Sequence, residues 1–74
     1  MKEETAKRIG TIIRSARKKA NFTQQEISNK TNISRNYISD IECGRYIPSV
    51  DKLVELSKLL NLDLNLIKND GNTI

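Results

Sequence analysis

Seventy-four residues suffice for one domain with a single core and are too few for a second folding unit beside it. Hydrophobic residues make up 36%, with one Phe, two Tyr and no Trp, so the core must be built mainly from Ile, Leu and Ala. The formal charge is +4, no apolar run approaches a membrane span, and a lone Cys43 with no histidine excludes an intramolecular disulfide and an evident zinc set. The chain is therefore expected to stay in the cytoplasm and to carry no metal or cofactor.

The charge is unevenly spread. From Met1 to Arg35 nine Lys or Arg face three carboxylates, whereas from Asn36 to Ile74 four face six. A basic first half suits a polyanionic partner, although mild basicity is common in soluble proteins and serves only as support.

Ile9, Ile12, Ile13, Ala16 and Ala20 recur at helical spacing with charged residues between them, which predicts an amphipathic first helix. Glu3 and Glu4 stand near its start and Lys18 and Lys19 in its last turn, each sign where the helix dipole favours it. Asn21 and Phe22 break the pattern. Thr23-Gln24-Gln25-Glu26 then has the form of a capping box, in which a Thr side chain and a Glu three residues later satisfy each other's backbone donors.

A second helix from Gln24 can run about two turns before Thr31-Asn32, where Asn tolerates a left-handed backbone. Ser34 can cap a third helix over residues 35–42, with Ile38 and Ile41 inward and Gly44 suited to the left-handed position beyond its end. Two short helices so joined form a helix-turn-helix if apolar side chains support a steep crossing. Ile27, Thr31 and Ile33 can supply the first helix and turn, and small Ser28 stands where the two would cross.

Ser49 can cap a fourth helix through Val50, Leu53, Leu56, Leu59 and Leu60, and Asp63 a short fifth through Leu64, Leu66 and Ile67. The alternation Leu62, Leu64, Leu66 would equally suit a short strand. These leucines exceed what so short a segment can bury within one monomer, so some are expected to meet a partner; the alternative is that they close the monomer core. The expected organisation is a domain over residues 1–68, with the two-helix motif at 24–43, and a tail at 69–74.

The run Thr23-Gln24-Gln25-Glu26-Ile27-Ser28, followed by Ile33-Ser34-Arg35, Tyr37-Ile38-Ser39, Ile41-Glu42, Gly44-Arg45 and Pro48-Ser49, resembles the Cro/repressor-like (XRE) helix-turn-helix family over roughly Ile9 to Ile67. Departures are Ser28 where the family usually has Ala, Asn32 where it often has Gly, and Cys43 where a polar residue is usual. The resemblance implies an all-α, compact five-helix bundle of the lambda-repressor-like kind, a sequence-specific regulator, and a homodimer on a palindromic double-stranded operator. Helix 35–42 would then lie in the major groove.

Carried over residue by residue, the resemblance makes Arg35, Asn36 and Asp40 base readers, with Tyr37 and Ser39 flanking them. Arg suits guanine, Asn adenine, and Asp the cytosine amino group, although phosphate repels a carboxylate lacking that partner. Gln24, Ser34, Arg45 and Tyr46 become phosphate contacts. Tyr37 and Tyr46 have the simpler alternative of covering the core. Arg17 and Glu42 resemble a family pair tying the first helix to the end of the third, and the surface including Leu62, Leu64, Leu66 and Ile67 resembles the family's dimer face.

Competing readings stay open beside this one. A protein-interaction module could use the same bundle without DNA, and Cys43 reads as an inert filler or, less simply, a redox switch. An enzyme is not expected. No nucleophile stands beside a base, and Asp40 and Glu42, two apart on one helix, point to different faces.

Overall fold

The computed structural model describes residues 2–63, which form four helices: α1 (Lys2–Lys19), α2 (Gln24–Thr31), α3 (Arg35–Glu42) and α4 (Val50–Leu60). Five helices were expected. Asp63, assigned to cap the fifth, lies in an irregular segment after α4, and Leu64, Leu66, Ile67 and the 69–74 tail fall outside the described residues.

Local chemistry sets the helix ends. At α2 both halves of the capping box are made: Glu26 N–H donates to Thr23 Oγ1 at 3.0 Å and Thr23 N–H to Glu26 Oε1 at 2.8 Å. Ser34 Oγ accepts from Tyr37 N–H at 3.0 Å to open α3. Asn32 takes the left-handed conformation at φ 62°, as expected, and so do Asn21 and Asn61 at the ends of α1 and α4. Ser49 has the extended backbone of a capping residue, but its side chain makes no cap hydrogen bond.

Beyond α3 the chain turns through Gly44 at φ 75°, with Gly44 N–H donating to Ile41 C=O and Arg45 N–H to Asp40 C=O, both at 3.0 Å. This pairing is the Schellman arrangement, which satisfies carbonyls that the helix end leaves open. It also carries Arg45 back alongside Asp40.

The core is aliphatic, as the composition requires. Ile9, Ile13, Ile27, Ile33, Ile38, Ile41, Leu56 and Leu60 form one buried cluster, with Ala16, Phe22, Tyr37, Leu53 and Leu59 packed around it. Ala6 joins the buried set, whereas Ala20 is exposed and Val50, placed inward by its spacing, is 76% exposed at the start of α4.

α3 packs on both α1 and α2, and α4 closes against α1. The approach of α1 to α3 depends on Gly10, where an added Cβ would overlap the Ile41 carbonyl oxygen and stand 3.0 Å from that of Glu42. None of the described helices is long and apolar enough to cross a membrane.

Candidate nucleic-acid interface

α3 has two faces with different tasks. Ile38 and Ile41, fully buried, hold it from behind, while Arg35 and Asn36 in its first turn are exposed. Asn36 and Asp40, four residues apart, fall on the side turned away from the isoleucines, and exposed Cys43 continues that row. No described residue hydrogen-bonds the Arg35 or Asn36 side chains. That first turn is open to solvent, with the Arg35 guanidinium and the Asn36 carboxamide next to each other in sequence.

Behind this edge, α1, α2 and α3 are joined by one polar network. Arg17 Nε donates to Glu42 Oε2 at 2.7 Å and Nη2 to Oε1 at 3.0 Å, while Nη1 donates to the Phe22 carbonyl at 2.9 Å. Hydrogen bonding to Glu42 holds the Arg17 guanidinium above its already high ordinary pKa, against the opposing effect of desolvation. Gln24 Nε2 donates to the same Glu42 Oε1 at 3.0 Å. The Gln24 side chain is thus turned onto a carboxylate of α3, and of the N–H groups in the first turn of α2 that of Glu26 is already taken by Thr23 Oγ1.

Asp40 and Arg45, expected to act separately, are in contact. Arg45 Nη1 donates to Asp40 Oδ1 at 2.8 Å, and the Tyr46 hydroxyl approaches Oδ2 at 3.5 Å. The expected cytosine reader and the expected phosphate contact are thus partners in the free protein. Desolvation, followed by the adjacent Asp40 carboxylate, raises the Tyr46 phenol pKa above its ordinary value.

Tyr37 and Ser39 are half-buried flanks. The Tyr37 ring meets Tyr46 edge-on at 5.5 Å, Lys52 Nζ lies 5.7 Å over it, and its hydroxyl accepts from Ser49 N–H at 3.3 Å. Tyr37 therefore ties α3 to the start of α4. Ser34 is exposed; its oxygen caps α3 while its O–H remains able to donate outward. Of the apolar residues expected at a dimer face, Leu62 is half-buried, and the other three lie outside the described residues.

The roles of Gly10 and of the Gln24 side chain depend on the helix packed opposite and are not visible in the linear sequence. Gly10 did carry a signal, being a glycine beside Ile9 on the apolar side of an otherwise regular helix.

A helix-turn-helix family model matches residues 13–67. The chain is 44% identical over 62 residues to the ImmF control region 10 kDa protein of Bacillus phage phi105, covering 84% of this chain and 69% of that protein. It is 36% identical over 59 residues to the HTH-type transcriptional regulator ImmR of Bacillus subtilis (strain 168), covering 80% of this chain and 46% of the regulator, so it spans under half of that relative's length. In fold, a crystal structure of a variant of the restriction-modification controller protein C.Esp1396I superposes with a TM-score of 0.77 over the whole of both chains at 23% identity. With the capped two-helix unit and its exposed first turn in place, the chain belongs to the Cro/repressor-like (XRE) helix-turn-helix family of DNA-binding regulators.

Proposed function

We propose that the protein is a sequence-specific transcriptional regulator of the repressor or controller kind, which binds double-stranded DNA with α3 in the major groove. The observation that carries this reading is the exposed first turn of α3 backed by fully buried Ile38 and Ile41. Arg35 and Asn36 read base edges, with Tyr37 and Ser39 at their flanks. Ser34, Arg45, Tyr46 and the α2 amino terminus at Gln24 meet phosphates. A relative named as a transcriptional regulator supports a binding function rather than catalysis.

The protein acts as a homodimer on a palindromic operator. Each good bidentate contact discriminates by about 1–3 kcal/mol, so one half-site alone gives little selectivity. Two reading helices about 34 Å apart would address successive turns of one DNA face. Half-buried Leu62, which lines one cleft with the apolar residues Ile12, Ala16 and Leu60 of α1 and α4, supports a contact between copies there.

Selection from a random duplex library tests this reading by yielding the half-site, its symmetry and its spacing. Arg35→Ala is expected to relax preference at one base pair per half-site, whereas Arg45→Ala weakens all sequences alike and reduces the salt slope by about 1. Equal weakening of every site by both would remove the division between readers and positioners. A gel shift showing no salt-dependent retardation by wild type would favour a protein-interaction module instead.

A further inference from the structure

The Schellman turn after α3 places Arg45 against Asp40 twice: through the backbone hydrogen bond at 3.0 Å and through the side-chain ion pair at 2.8 Å. The backbone link holds the two side chains as neighbours whether or not the ion pair is made. Both are accessible, with Arg45 67% and Asp40 30% exposed in their side chains. A carboxylate offers a guanidinium the same kind of paired oxygen acceptor that a phosphate does, so the two compete for Arg45. An exposed pair of this sort is weak enough to exchange.

We propose that Asp40 is a positioning residue for DNA binding, whose carboxylate clasps Arg45 in the free protein and must surrender it to a DNA phosphate. The proposal rests on the DNA-binding reading and changes what Asp40 does within it. When Arg45 leaves, the ion pair with Asp40 is lost, and that loss offsets part of what the phosphate contact contributes, so the clasp lowers affinity for every sequence. A cytosine reader would instead act at one base pair.

Binding of the full chain to a selected site and to a random-sequence duplex is compared for wild type, Asp40→Asn, Arg45→Ala and the double variant across a salt series. Asp40→Asn is expected to tighten both duplexes by about fivefold at each salt concentration. This gain should vanish in the Arg45→Ala background. A gain that persists there shows simple repulsion between Asp40 and phosphate and overturns the clasp, as does a loss confined to sites with cytosine at one position.

A second measurement needs no duplex. The Arg45 guanidinium resonance, followed by NMR during titration with inorganic phosphate, should respond at lower phosphate in Asp40→Asn than in wild type. An identical response defeats the clasp. Failure of every variant to bind DNA, with that difference present, would defeat the DNA reading alone.

Discussion

α3 carries one ion pair toward the protein and one toward solvent, and burial separates their roles. On the inner side the Arg17 and Glu42 side chains are 12% and 3% exposed, and each has hydrogen bonds beyond the pair. On the outer side Arg45 and Asp40 are 67% and 30% exposed. Chemically the pairs are alike. The inner one is a fixture because breaking it leaves a charge with little water to replace its partner, whereas the outer one can trade partners at small cost.

The largest expected effect falls on the inner pair. Glu42→Ala should destabilise the fold by about 3 kcal/mol, since it leaves the Arg17 guanidinium and the Gln24 amide without their shared acceptor. Arg45→Ala should change stability by less than about 1 kcal/mol. Urea denaturation of both variants checks the contrast, and similar losses would erase it.

Gly10 sharpens the same contrast from the α1 side. Helix propensity alone says that Gly10→Ala should stabilise by about 1 kcal/mol. The new Cβ would instead press on the carbonyls of Ile41 and Glu42, at the end of α3 that holds the inner carboxylate, so a loss of about 1–3 kcal/mol is expected. Thermal unfolding decides the sign, and a gain would mean that α1 and α3 can move apart without penalty.

Features legible in the sequence were those whose chemistry is local. Thr23 with Glu26, Asn32, Ser34 and Gly44 act on backbone groups a few residues away, so the bounds of α2 and α3 could be read before any packing was known. The inner pair was reached through family resemblance rather than through residue spacing. Gly10 and Gln24 remained hidden because their roles depend on which helix arrives opposite them. Asp40 and Arg45 were assigned separate tasks for a related reason: their contact is made by the turn through Gly44, which linear spacing does not display. Val50 kept helical spacing but lies at the exposed start of α4, where periodicity alone does not ensure burial.

Tyr46 provides the smallest effect and reports on the outer pair directly. Its phenol pKa is raised by desolvation and then by Asp40, while the Arg45 charge acts in the opposite direction. Asp40→Asn should therefore lower the titration of this phenol, and Arg45→Ala should raise it, as read from ring resonances of Tyr46 across alkaline pH. Because the folded state holds this proton more tightly than the unfolded chain, the associated stability is complete below the unfolded phenol's range and is lost as pH rises through the folded value. Shifts of the same sign in the two variants would show that the phenol senses only its loss of water, and that the acid and base beside it do not form the pair inferred for the outer face.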